Sequence, residues 1–133
     1  MESKLPDVGT TIFAVMTKMA VENNAINLSQ GFPDFPVSEK LIDFVNEGMR
    51  KGMNQYSPMP GLPMLRESIS KKLESTYGLN VDPDKEITIT SGGTQALYAA
   101  FAAILEPNDE VIVFDPAYDS YNPAIRLNQA KPI

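Results

Sequence analysis

The residues best suited to chemistry form a short turn rich in glycine and hydroxyl groups, Ser91-Gly-Gly-Thr94. The turn lies between a predicted strand and a predicted helix, and a helix start presents free backbone N–H groups and a partial positive charge. Gly92 and Gly93 let an anion approach the backbone, and the hydroxyls of Ser91 and Thr94 can add donors. This pattern indicates a phosphate site, although such turns also carry Gly and Ser for turn and capping reasons alone. It is neither a Walker loop nor a dinucleotide fingerprint.

A second candidate is the segment Asp115-Pro-Ala-Tyr-Asp-Ser-Tyr121, which follows another predicted strand. In open α/β sheets, ligands bind outside the carboxyl ends of the strands. We therefore expect Tyr118 at the same sheet edge as the glycine turn, where its ring can stack on a flat cofactor. The alternative interpretation is that Tyr118 and Tyr121 only pack the helix that follows them.

Two loops carry further aromatic residues. Gly31-Phe-Pro-Asp-Phe-Pro36 is too rich in Gly and Pro for regular structure, and Asn54-Gln-Tyr-Ser-Pro58 presents a tyrosine. Each has a structural alternative: the first loop can be a rigid connector with two aromatic anchors, and Tyr56 can be a surface residue covering a helix.

The residue types that are missing narrow the chemistry. The sequence has no histidine and no cysteine, which excludes Ser-His-Asp and Cys-His catalysis and a His/Cys zinc site within this chain. An all-carboxylate metal site is the alternative that these absences leave open, but no EF-hand spacing is present, and we predict no metal. The net charge of -6 argues against a general nucleic-acid binder, because phosphate contacts need basic density. If the chain belongs to an enzyme, we expect its chemistry to come from a cofactor.

The overall composition is that of a globular protein, with 43% hydrophobic and 21% charged residues. The longest strongly apolar stretch, around Ala96–Leu105, is far too short for a membrane span. The N-terminus has no apolar signal core. We therefore expect a cytoplasmic location and no membrane association.

Periodicity and turn residues predict the elements that must position these candidates. Five helices are predicted: one capped by Thr10 or Thr11 and ending near Glu22, one from Ser38 to near Gly52, one from Met64 to about Tyr77 with Gly78 as its cap, Thr94–Leu105, and Ser120–Leu127. Strands are predicted at Ile26–Leu28, Glu86–Thr90 and Glu110–Asp115, with a further one beginning at Lys131–Ile133.

The run from Glu86 to Asp115 predicts one right-handed, parallel βαβ unit. A sheet of two parallel strands would have long bare edges. We therefore expect an α/β fold that is incomplete and forms part of a larger sheet.

Several motifs in this order resemble the class I/II (fold type I) aminotransferases, and among them the methionine and kynurenine aminotransferase group. The matching stretches are Lys4–Phe13, Leu28-Ser-Gln-Gly-Phe-Pro-Asp-Phe-Pro36, Asn54-Gln-Tyr56, Gly61-Leu-Pro-Met-Leu-Arg-Glu67, Thr88-Ile-Thr-Ser-Gly-Gly-Thr-Gln-Ala-Leu97 and Asp109–Tyr121. The resemblance implies a partial PLP-transferase fold: an N-terminal helical arm plus the first βαβ of the large-domain sheet. It further implies that residues 1–52 contribute to the small domain and that 53–133 begin the large, cofactor-binding domain.

The resemblance also implies roles for individual residues around pyridoxal 5′-phosphate (PLP). Gly92, Gly93 and Thr94 correspond to the cradle of the PLP phosphate. Tyr118 corresponds to the aromatic residue that stacks on the pyridine ring. Tyr56 corresponds to a tyrosine that reaches the partner subunit's PLP phosphate in a homodimer.

On the substrate side, Gly31 corresponds to the glycine that lies against the substrate carboxylate, with Phe32 and Phe35 walling the pocket. The implied reaction is transamination, which moves an amino group from a methionine-like, aromatic or kynurenine-like amino acid to a 2-oxo acid. The family's Schiff-base lysine, its pyridinium-paired aspartate and its carboxylate-binding arginine are expected beyond residue 133, so no catalytic residue is assigned here. We expect this chain alone to be inactive. The alternatives are a non-catalytic phosphate-binding or interaction module derived from the fold, and an unrelated phosphate-binding α/β domain.

Overall fold

The computed structural model describes residues 2–31 and 33–133. Over these residues it has five helices and two short strands, in the order α1 (Ile12–Glu22), α2 (Glu39–Arg50), α3 (Pro63–Tyr77), α4 (Gly93–Ile104), β1 (Glu110–Val111), α5 (Tyr121–Leu127) and β2 (Lys131–Pro132). No helix within the described ranges has both the length and the apolar character needed to cross a membrane.

The helices begin and end at the residues that the sequence marks. Thr11 caps α1, because its Oγ1 accepts a hydrogen bond from the Ala14 amide at 3.3 Å. Proline occupies the first position of α3, where no N–H is needed. Gly78 ends α3 in the left-handed conformation, with φ of 68°. The five predicted helices are thus confirmed to within one or two residues at each end.

The two strands form a small parallel sheet, and α5 connects one strand to the other. Glu110 is paired with Lys131 and Val111 with Pro132. The Val113 amide extends the pairing by donating to the Ile133 carbonyl at 2.9 Å. Ile125 of α5 is completely buried. This parallel β–α–β arrangement is the packed centre of its part of the chain.

Three strand predictions are wrong in extent or in kind. Ile26–Leu28 and Glu86–Thr90 are not strands, and Glu110–Asp115 is a strand only at its first two residues. The β–α–β unit is therefore built from β1, α5 and β2, not from Glu86–Asp115. The physical reason is that a strand needs a hydrogen-bonding neighbour, and the Ile89 amide donates instead to the carbonyl of Pro60, at 2.9 Å.

The chain divides into two compact units. One combines the segment up to Asp34 with Thr94–Ile133, and the other is Phe35–Gly93. These bounds differ from the expected division after residue 52. That division concerns a small and a large domain and stays a prediction.

An ion pair fastens the N-terminal segment to α5 within the first unit. Arg126 donates from Nη1 and Nη2 to the two carboxylate oxygens of Asp7, at 2.8 and 2.6 Å. These hydrogen bonds lower the pKa of Asp7 from its ordinary value and raise the pKa of Arg126. Because the ion pair is bidentate, it fixes the orientation of the two side chains as well as their distance.

Candidate functional site

The glycine turn at the start of α4 is an open turn with one residue in the left-handed region. Gly92 has φ of 87°, a conformation that glycine adopts without strain. Its amide donates to the Thr90 carbonyl at 2.9 Å, and its carbonyl accepts from Thr90 Oγ1 at 3.0 Å. A Cβ placed on Gly92 or Gly93 would meet no atom within 4 Å. Gly93 and Thr94 open α4 and are exposed, so the turn is open to a ligand.

The segment before this turn is held by a second glycine. Gly61 is buried and has φ of 102°, and a Cβ there would lie 2.3 Å from Ile89 Cγ1. In the same loop, the Pro60 carbonyl accepts the hydrogen bond from the Ile89 amide. Gly61 is therefore required both for its conformation and for the close approach of Ile89.

Arg66 is the buried charged residue among those that the structure describes, with 6% of its surface exposed. Its Nε donates to the Gly61 carbonyl at 3.3 Å. Its Nη1 donates to the Pro83 carbonyl at 2.5 Å and to Asp84 Oδ1 at 3.0 Å. The guanidinium thus joins the loop before α3 to the turn at residues 83–84.

Tyr118 lies in an aromatic cluster within the other unit. Its ring centroid is 6.5 Å from that of Phe13 on α1 and 5.7 Å from that of Tyr121, which it meets edge to face. The contact with Tyr121, the first residue of α5, is the one that the structural alternative predicts. Tyr118 nevertheless remains 47% exposed and lines an apolar depression of about 430 Å³.

Gly31 lies at a different depression in the same unit, of about 750 Å³, formed with Thr17, Asn27 and Gln30. Thr17 Oγ1 accepts hydrogen bonds from Asn27 Nδ2 at 3.2 Å and from Gln30 Nε2 at 3.0 Å. These bonds tie the loop that contains Gly31 to α1. Nothing lies within 4 Å of a Cβ placed on Gly31.

The remaining aromatic candidates lie in solvent or outside the described part of the chain. Tyr56 is fully exposed, and no residue described in the structure covers its side chain. Phe35 is exposed as well, whereas Phe32 falls outside the described residues. The expected common sheet edge of Tyr118 and the glycine turn stays a prediction, since the two lie in different units.

Sequence reasoning assigned no role to Arg66 or Gly61. Two signals were present. Pro60-Gly61 is a turn-forming pair, and Arg66 is spaced three and seven residues before Ile69 and Leu73, so that it falls on the apolar face of α3. A charge on an apolar helix face indicates a buried residue with fixed partners.

Comparison with known proteins identifies the family. A family model described as "Aminotransferase class I and II" matches residues 23–133. A methionine aminotransferase of Escherichia coli is 52% identical over 96% of this chain. Human kynurenine–oxoglutarate transaminase 1 is 32% identical over 87% of this chain. The chain spans about a third of the length of these relatives, 33% and 28% respectively.

Solved structures agree with the sequence comparison. The structure of Escherichia coli YbdL, identified as a methionine aminotransferase, superposes with a TM-score of 0.94 at 50% identity, over the whole of this chain and 35% of that one. The N-succinyldiaminopimelate aminotransferase of Mycobacterium tuberculosis gives 0.91 at 36% identity, again over 35% of its length.

The fold is accordingly the N-terminal portion of a fold type I aminotransferase, as the motifs predicted. The alternative of an unrelated phosphate-binding α/β domain is excluded by the same matches. This chain belongs to the class I and II aminotransferase family.

Proposed function

We propose that this chain is the N-terminal part of a PLP-dependent aminotransferase that moves an amino group from a methionine-like, aromatic or kynurenine-like amino acid to a 2-oxo acid. The observation that carries the proposal is the open pair Gly92-Gly93 at the start of α4, inside the region that matches the family. We place the protein in the cytoplasm, as proposed from the sequence.

The residues present fit PLP at its phosphate end. Both glycines have free space where a side chain would stand, and the start of α4 favours a dianion. Gly92, Gly93 and Thr94 would hold the phosphate. Gly93 and Thr94 would donate through their backbone N–H groups and the Thr94 hydroxyl, whereas Gly92, whose own N–H donates to the Thr90 carbonyl, would leave room for the phosphate to approach the backbone.

At the ring end, Tyr118 would stack on the pyridine. Phe13 and Tyr121 already fix the position of its ring, so that stacking costs little additional ordering. When bound, PLP supplies an electron sink for the bond changes at the substrate's α-carbon. The part of this chain is to hold and orient that group.

On the substrate side, Gly31 would lie against the substrate carboxylate. The hydrogen bonds that Thr17 accepts from Asn27 and Gln30 limit the movement of this loop. Phe35 would help to wall the pocket, and we propose the same role for Phe32.

We further propose a homodimer in which Tyr56 reaches the cofactor phosphate of the partner subunit. The full exposure of Tyr56 supports this role, because the side chain is not used for packing within its own unit. We expect this chain alone not to transaminate, since the resemblance assigns the covalent anchor and the carboxylate-binding arginine to other parts of the relatives.

The phosphate cradle is tested by NMR on the ¹⁵N-labelled chain. Pyridoxine 5′-phosphate is the suitable probe, since it has no aldehyde to react with lysines. We expect it to shift the amide signals of Gly92, Gly93 and Thr94, whereas pyridoxine, which has no phosphate, leaves them in place.

A matched pair of variants provides the control. Gly92→Val puts a side chain into the proposed cradle, and Gly52→Val makes the same change at another glycine with positive φ and open surroundings. Only Gly92→Val should abolish the response. Equal responses to the two ligands, or none in a folded chain, would contradict the cradle.

A further inference from the structure

Arg66 has no role in the proposed function, yet it is a buried charged residue, and such residues usually hold a structure in place. A guanidinium removed from water is costly unless its donors are satisfied. Only 6% of the Arg66 surface is exposed, while its ion-pair partner Asp84 is largely exposed. The arginine is therefore buried and its carboxylate partner is not. Two of the three acceptors of Arg66 are backbone carbonyls.

We infer that Arg66 and Gly61 are positioning residues that set the location of the Gly92-Gly93 turn. The assignment of that turn to a cofactor phosphate rests on the proposed function; the positioning itself rests on contacts within the unit Phe35–Gly93.

The first step runs from Arg66 to two separate backbone segments. Nε binds the carbonyl of Gly61, before α3, and Nη1 binds the carbonyl of Pro83, well after it. The two segments are brought together by one rigid, planar group. Lysine cannot reproduce this, because it has a single donor head and no fork.

The second step runs from Gly61 to Ile89. The missing Cβ of Gly61 lets the Ile89 side chain lie against the backbone, where an alanine Cβ would be 2.3 Å away. The Ile89 amide then donates to the Pro60 carbonyl at 2.9 Å. Ile89 is thereby fixed on both its side chain and its backbone.

The third step is covalent. Ile89 precedes Gly92 by three residues, and the intervening Thr90 makes two hydrogen bonds with Gly92, one through its carbonyl and one through Oγ1. A shift of Ile89 is therefore passed to the turn. Loosening Arg66 should displace the turn while the helices of the unit stay formed.

The test compares the 133-residue chain with Arg66→Met and Arg66→Lys, with Arg50→Met as the control for loss of a positive charge at an exposed position. Without ligand, amide hydrogen exchange is followed at Ile89 and across α3. We expect Ile89 to exchange about tenfold faster in Arg66→Met, as for the loss of one charge-assisted hydrogen bond, with α3 unchanged. Arg66→Lys should recover part of the protection, and Arg50→Met should match the unaltered chain.

With ligand, the dissociation constants for pyridoxine 5′-phosphate and pyridoxine are compared. Arg66→Met should raise the dissociation constant of pyridoxine 5′-phosphate about tenfold and leave that of pyridoxine unchanged. An equal loss for both ligands, a loss of α3 protection in both Arg66 variants, or no protection of Ile89 in the unaltered chain would overturn the positioning role. If Arg66→Met accelerates Ile89 exchange and moves the Gly92 and Gly93 signals, but no chain responds to the phosphate, the positioning stands and the cofactor assignment fails.

Discussion

At the scale of single residues, the glycines of this chain serve different physical ends. Gly92 needs its freedom of conformation and has open space where a side chain would stand, whereas Gly61 needs both its conformation and the absence of a Cβ against Ile89. Gly78 needs only its conformation, since it caps α3 in open surroundings. The same substitution should therefore have unequal effects at these positions.

Gly61→Ala should destabilise the chain more than Gly78→Ala. Alanine at a positive φ costs about 1 kcal/mol at either position, and the contact with Ile89 adds about 1 to 3 kcal/mol at Gly61 alone. Urea denaturation followed by circular dichroism measures both. Equal losses in the two variants would show that Ile89 moves aside without cost.

The Asp7 carboxylate gives a prediction in pH. Its pKa in the folded chain is lowered by the hydrogen bonds from Arg126, so the contact contributes stability above the ordinary pKa of an aspartate and loses it as the pH falls through the lowered value. The ¹³C signal of the Asp7 carboxyl group should titrate below the usual range, and in Arg126→Gln it should return to that range. An unaltered titration in Arg126→Gln would show that the ion pair does not persist in solution.

At the scale of elements, local signals predicted the helices and failed for the strands. Thr11, Pro63 and Gly78 mark helix ends through contacts within a few residues, so the sequence around them suffices. Glu86–Thr90 has the alternation of a strand, but a strand also needs a neighbour, and here the Ile89 amide is bound by the Pro60 carbonyl. The glycine turn was predictable because glycines and a helix start are local features. The contacts of Arg66 were not, because they join segments 17 and 18 residues apart.

Helix α5 carries the buried centre of the β–α–β unit, which can be tested by one substitution. Ile125 is 0% exposed, and Ile125→Ala should cost about 2 to 5 kcal/mol through lost burial and the cavity left behind. Ile104→Ala makes the same change at a residue that is 71% exposed, and it should cost less than about 1 kcal/mol. Similar unfolding midpoints in urea for the two variants would contradict the packing around α5.

At the scale of the whole molecule, the chain matches its family along almost its whole length but spans only about a third of the relatives it matches. The chain aligns with the Escherichia coli methionine aminotransferase over 96% of its own residues and 33% of that protein. Large apolar side chains at Ile26, Leu28, Ile112 and Phe114 are exposed. Apolar surface of this kind is typical of a face that another part of a protein covers. The proposed phosphate cradle, the proposed stacking of Tyr118 and the proposed substrate loop around Gly31 therefore need to be tested in a complete enzyme.

The most direct measurement is the activity of a chimera, in which this chain replaces the matching N-terminal third of the Escherichia coli methionine aminotransferase. The account predicts PLP-dependent transfer of the amino group from methionine to a 2-oxo acid by the chimera, a strong loss of that transfer in its Gly92→Val variant, retention in Gly52→Val, and no transfer by the 133-residue chain alone. A soluble chimera that binds PLP but transfers no amino group would contradict the account, as would transfer by the chain on its own.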